Sequence, residues 1–283
     1  MINLRRLIGL MLVAGVMGLG QPALAQSTKQ KPLRLPCGAG LVQQRLEPRL
    51  IPVSYQVADL TAGQLRIDFA GHSTFLITSP QGVKVATDYN DFYRAKELPD
   101  IATMSGWHPN HTTDNIQPSI TYALKGWDTG AGLPRHDVRI KDLRVYAVPA
   151  NIEQDGITFR FPTAVFVVQS QGLCVAHLGL LGHVLEPRTV ANIGRIDVLM
   201  VPIDQRVTLS FAETIHNIKV INPKVVVPMH YNSKYTVEEF LSSAKAHFPV
   251  RRPNSSNLIA QKSTLPQKTE IHFLLPPYFS QGF

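Results

Sequence analysis

Short apolar runs broken by turn residues crowd the first half of this chain, and in the second half similar runs alternate with capped helical segments. Leu65-Arg66-Ile67-Asp68-Phe69, Thr74-Phe75-Leu76-Ile77 and Val83-Lys84-Val85-Ala86 follow one another, and Pro80-Gln81-Gly82 turns the chain between the last two. Further strands fit 143–148, 164–168, 173–177, 198–202 and 225–228, with a last one near 270–275. Ser210-Phe211-Ala212-Glu213 and Thr236-Val237-Glu238-Glu239 both read as capping boxes opening helices. A third helix fits 187–193, closed by Gly194 as a left-handed cap. No internal repeat or low-complexity tract interrupts this order.

Composition narrows the class. With 44% apolar and 17% charged residues the chain is globular, which excludes disorder, collagen and a coiled coil. Its 21 prolines and 19 glycines argue against a helical bundle. Two cysteines are too few for a disulfide scaffold or a four-cysteine zinc site.

The first 25 residues read as a removable export signal. Arg5 and Arg6 supply the positive start, residues 7–20 an uncharged apolar stretch, and Ala23-Leu24-Ala25 a cleavage site. This predicts a periplasmic or secreted protein. The general secretory route is expected, with the twin-arginine route as the alternative that Arg5-Arg6 permits. Residues 26–60, with Pro32, Pro36, Pro48 and Pro52, read as an irregular extension, and 61–283 as one domain. No later run reaches the roughly 20 apolar residues of a membrane span. Removing the two leader arginines lowers the formal net charge from +8 to +6. The basic residues are dispersed, so a small-molecule ligand or substrate is expected and nucleic acid is not. Cys37 and Cys174 could pair in an oxidising compartment, but Cys174 lies in an apolar run where a buried free thiol fits equally well.

Histidines carry the chemical signal. His108 and His111 flank Pro109-Asn110 on a segment leaving the apolar run Ile101-Ala102. His230 follows the run 225–229, and His177 and His183 bracket 178–182 just past another. Neutral imidazole is a common zinc ligand, and strand ends are where a scaffold presents ligands. His72, at a strand start, reads as structural; His136, His216, His247 and His272 read as surface or helix-face residues. Trp107 and Trp127 fit core packing better than a pocket wall.

Gly71-His72-Ser73-Thr74-Phe75-Leu76-Ile77, Asp88, residues 105–111, His177-Leu178-Gly179-Leu180-Leu181-Gly182-His183 and Pro228-Met229-His230-Tyr231 resemble, in that order, the metallo-β-lactamase superfamily. The similarity covers roughly 60–235. Its nearest branch resembles the ascorbate-6-phosphate lactonase-like and N-acylphosphatidylethanolamine phospholipase D-like hydrolases. The resemblance implies an α/β fold, a four-layered αββα sandwich with the site at one edge of two sheets.

The departures from that family bear on activity. Against its H-x-H-x-D-H signature this chain reads Gly106-Trp107-His108-Pro109-Asn110-His111. Asn151 aligns with a further family histidine, and Leu180 stands where the aspartate that bridges the two metals would be. The resemblance therefore implies His108, His111 and His230 as retained metal ligands, with Gly106, Asn110, Asn151 and Leu180 as degenerate positions. His177 and His183 would support the ligands from behind. Both carboxylates of a two-metal site are lost, so one zinc ion or none is expected. The expected protein is an exported, weak or non-catalytic relative of the hydrolases. The alternative is an active metallohydrolase of a phosphoester, lactone or amide.

Overall fold

The computed structural model describes Cys37, 60–130, 132–154 and 157–275. The export signal and nearly all of the 26–60 extension lie outside these residues. Those described fall in one compact unit within 35–283.

Two sheets form it. The six-stranded sheet runs in the order β13-β1-β2-β3-β4-β5 and the eight-stranded sheet β12-β14-β11-β10-β9-β8-β7-β6. In chain order the strands are β1 Gln64–Gly71, β2 Thr74–Thr78, β3 Lys84–Ala86, β4 Ile101–Met104, β5 Tyr122–Lys125, β6 Asp137–Ile140, β7 Leu143–Gln154 and β8 Ile157–Ser170. There follow β9 Leu173–His177, β10 Val198–Pro202, β11 Val225–Met229, β12 Val250–Arg251, β13 Asn257–Gln261 and β14 Glu270–His272. Three helices, α1 Pro187–Ile193, α2 Phe211–Ile221 and α3 Lys234–Lys245, intervene in the second half.

The main core fills the space between the sheets and beneath the helices. Phe75 and Ile77 of β2 join Val145, Phe166, Val175, Met200 and Val226, and α3 adds Val237, Phe240 and Leu241. Strands β9, β10 and β11 are buried along their whole length. Parallel strands covered on both faces explain why these segments read as unbroken apolar runs.

A smaller cluster lies on the other face of the first sheet. Leu76 alternates with Phe75 and Ile77 and packs with Ala86, Ala102 and Met104 against Tyr89 and Ile120. Among the described residues, the chain covering this face has no helix: loops 87–100 and 105–121 form that outer layer. Asn90 fixes the start of the first loop, its Oδ1 accepting from the Phe92 and Tyr93 amides at 2.8 and 2.9 Å. The outer layer on this side is therefore coil, and the expected α/β arrangement of two sheets persists with few helices.

Two local expectations change. Helix α2 has the full capping box of Ser210 and Glu213. Helix α3 begins earlier than the Thr236 reading, at Lys234, because Ser233 Oγ takes the Thr236 amide at 3.2 Å and caps the helix. Cys37 and Cys174 form a disulfide, which removes the free-thiol alternative. Among the described residues no helix is long and apolar enough to cross a membrane.

Candidate metal centre

The site is built where strands end. Strand β3 runs parallel to β4, and β9, β10 and β11 run parallel to one another. Each of their C-terminal ends delivers a polar residue: Asp88 after β3, His111 on the loop after β4, His177 closing β9, Asp204 after β10 and His230 after β11. The turn between β1 and β2 adds His72. Convergence at the carboxyl ends of strands is the general ligand position of open α/β sheets.

His72, His111 and His230 come together. One ring nitrogen from each lies within 4.8 Å of the others, and all three residues are buried. The backbone holds two of them directly, since the His230 amide donates to the His72 carbonyl at 2.7 Å. Both adopt left-handed backbone, φ 52° at His72 and 55° at His230. Non-glycine residues rarely adopt this conformation, and such strain collects at functional sites. Tyr93 stacks on the His72 ring at 5.3 Å.

Two buried carboxylates orient the rings. Asp88 Oδ2 stands 2.5 Å from His111 Nδ1, while Asp88 Oδ1 accepts the Ser105 amide at 2.8 Å. Burial opposes the Asp88 charge, but His111, His177 and these hydrogen bonds hold its carboxyl well below the usual range. Asp204 Oδ1 faces His230 Nδ1 at 3.6 Å, an ion-pair separation that is too long for a hydrogen bond. Against its own burial, His230, Thr208 and the Val207 amide bring Asp204 down to about 2.

Asp88 at Nδ1 keeps the His111 ring proton there and leaves its Nε2 bare. Nδ1 of His230 has no hydrogen-bond partner, and its Nε2 lies 2.9 Å from Nε2 of His111. Either the His230 ring proton or a cation held by both nitrogens accounts for so short a contact. His72, whose ring joins this cluster, has its Nε2 buried without a hydrogen-bond partner. Burial first, then His230 and His111, pushes the His72 ring down to about 3, so it is neutral at physiological pH. Two nitrogens each about 2.0–2.1 Å from one tetrahedral zinc stand about 3.3 Å apart, so the cluster fits a metal ion.

The remaining sequence candidates surround this pocket. His108 is exposed, its ring 5.8 Å from that of His111. Trp107, read as core, is 83% exposed, because the loop turns it outward while His111 points in. Gly106 and Leu180 are neighbours: a Cβ placed on Gly106 would meet Leu180 Cδ1 at 2.6 Å. The Asn110 carbonyl accepts from Asn90 Nδ2 at 3.0 Å. The Asn151 amide donates to His183 Nε2 at 3.1 Å, and His183 Nδ1 donates to the Val184 carbonyl at 2.8 Å. His177 is buried, donating from Nε2 to the Ser73 carbonyl at 2.8 Å, and lies 3.8 Å from Asp88.

Sequence reasoning passed over Asp204 and used Asp88 only as a landmark. Asp204 stands two residues beyond the β10 run, so the strand-end placement applied to the histidines would have found it.

Residues 66–230 match the family described as the β-lactamase superfamily domain. The chain belongs to that superfamily. A metal-dependent hydrolase designated UPF0173 from Methanosarcina mazei is 25% identical over 217 residues, 64% of this chain and 91% of the relative. A second from Archaeoglobus fulgidus is 32% identical over 204 residues, 62% and 87% respectively. Among solved structures, a Thermotoga maritima protein described as a zinc-dependent hydrolase of the metallo-β-lactamase superfamily superposes with a TM-score of 0.54 at 26% identity. That match covers 74% of this chain and 98% of the other.

Proposed function

We propose that this superfamily member is an exported, metal-dependent hydrolase working with one ion on a small ester, lactone, amide or phosphoester. The observation that carries the reading is the buried cluster of His72, His111 and His230, with Nε2 of His111 and of His230 2.9 Å apart and Asp88 behind His111. The relatives described as metal-dependent hydrolases support the same chemistry.

When bound, the ion would supply Lewis-acid activation of water and of the scissile carbonyl or phosphoryl group. This chain's own residues do the positioning. Asp88 fixes the His111 tautomer, and Asp204 sets a negative charge 3.6 Å from His230 Nδ1. His177 keeps the β1–β2 turn in place through the Ser73 carbonyl. Exposed His108 and Trp107 stand at the rim, where a substrate would first touch the protein.

Export is supported by the leader sequence and by the Cys37–Cys174 disulfide, a bond characteristic of oxidising compartments. N-terminal sequencing of the mature protein should begin at Gln26; a start at Met1 would contradict it.

A second reading, metal binding without turnover, is favoured by Leu180, an apolar residue beside Gly106 where the family resemblance expects a carboxylate. Hydrolysis of chromogenic phosphodiester, aryl ester and lactone probes separates the two readings. The hydrolase reading expects turnover that a chelator abolishes and added zinc restores. Tight zinc binding with no turnover of any probe would favour the second.

A further inference from the structure

We propose that His72 is a metal ligand, completing with His111 and His230 a three-imidazole site for a single zinc ion from which His108 is excluded. The inference rests on the metal-binding reading above and assigns a ligand that motif reasoning does not.

Several independent observations point to His72. Its Nε2 is buried and lacks any hydrogen-bond partner, which costs free energy unless something else occupies its lone pair. A ring nitrogen of His72 lies within 4.8 Å of ligand nitrogens of both His111 and His230. Its backbone carbonyl accepts the His230 amide, so the two rings are set by one peptide contact and stand 4.2 Å apart. Tyr93 covers its face and restricts its rotation. The left-handed backbone at His72 is the kind of strain that survives where the surroundings fix it.

His108 has the opposite character. It is exposed, and no nitrogen of it joins the triad. Its Nδ1 accepts the Asn110 amide at 3.4 Å, a long contact made within its own loop.

The count of one ion follows from what stands beside the triad. Leu180 Cδ1 occupies the space that any side chain at 106 would need, and Leu180 itself is buried. An apolar contact there offers a second cation no donor atom. Three imidazoles with one position left open form a known catalytic zinc set.

The test is zinc affinity and stoichiometry of the full mature chain, measured by competition with a chromogenic chelator. The unaltered protein should bind one equivalent. His72→Asn keeps a residue that tolerates positive φ, so the fold is retained. It should weaken zinc binding by more than the about 10–100-fold that losing an outer hydrogen-bond partner costs. His108→Asn should leave affinity within about twofold. The thermal shift produced by zinc should follow the same order. Folding of each variant is checked by circular dichroism.

Affinity within about threefold of the unaltered protein for folded His72→Asn would overturn the assignment. So would a His108→Asn loss as large as that of His72→Asn, or two equivalents bound by the unaltered chain. Absence of any zinc binding by the unaltered protein would remove the metal reading of the function, and this inference with it. The other results would remove the ligand assignment alone.

Discussion

The two halves of the candidate site are built from opposite materials. On one side three buried imidazoles converge, backed by the ionised carboxylates Asp88 and Asp204. On the other, Gly106 and Leu180 meet with no donor atom between them. Both halves sit at the same strand ends and share the Ser105 loop, so fold position does not separate them. Residue chemistry does: the first half gathers imidazoles and carboxylates, and in the second an apolar side chain packs against a glycine.

The largest break in this comparison comes from removing the charge behind the histidines. Asp88→Ala strips the partner from His111 Nδ1 and from the Ser105 amide, all inside the core. It should cost about 3–5 kcal/mol in urea unfolding, since one partner of a buried pair is left uncompensated. A loss below about 1 kcal/mol would mean that Asp88 does not organise this half.

The converse change puts a charge into the apolar half. Leu180→Asp should destabilise metal-free protein by roughly 3 kcal/mol at neutral pH, because a buried carboxylate loses its hydration. The penalty should shrink on acidification as the carboxyl takes a proton. If the variant is as stable as the unaltered chain at pH 7, this half is wetter than its packing indicates.

A pH series sharpens the contrast in the histidine half. The His72 ring titrates at about 3 when folded, against 6.5 for the free side chain. Between those values the unfolded chain binds a proton that the folded one refuses, so stability falls as pH drops from about 6.5 towards 3. The His72 share of the slope should approach about 1.4 kcal/mol per pH unit in chelator-treated protein. Asp204 adds a lower window: its folded carboxyl, at about 2 against 3.8, contributes stability above pH 3.8 that is lost between there and 2. His72→Asn should reduce the upper slope by that share and leave the lower window unchanged; half-buried His136 and buried His177 also contribute to the upper one. Equal slopes in variant and unaltered protein would reassign it.

The smallest effect tests the packing. Gly106→Ala should cost about 1 kcal/mol, since the new methyl meets the end of a leucine side chain that can move. Combining it with Leu180→Ala should give less than the sum of the two single losses, a coupling of at least about 0.5 kcal/mol by double-mutant cycle. Strict additivity would show that the two side chains do not compete for the space.

How much of this was legible beforehand differs between the same regions. Strands β9 and β10 match their expected bounds, and β11 runs one residue further, to Met229, because fully buried parallel strands leave unbroken apolar runs. Loops 87–100 and 105–121 carry no periodicity, so nothing in the sequence reveals that they cover the outer face of the first sheet. For the site, His111 and His230 stand out by following strands. His72 does not, because its place beside them depends on a turn folding back onto the β11 loop, a contact 158 positions away in the chain. His108 reads as a ligand from motif spacing alone, and spacing carries no information about which way a loop side chain faces. Trp107, read as core, faces outward for the same reason.

The central claim, one ion on three imidazoles, is tested most directly by zinc-edge anomalous diffraction from crystals of the mature protein grown with zinc. The account predicts a single strong peak about 2.0–2.1 Å from Nε2 of His72, His111 and His230. Two peaks flanking the position of Leu180, or one peak bonded to His108 and not to His72, would contradict it.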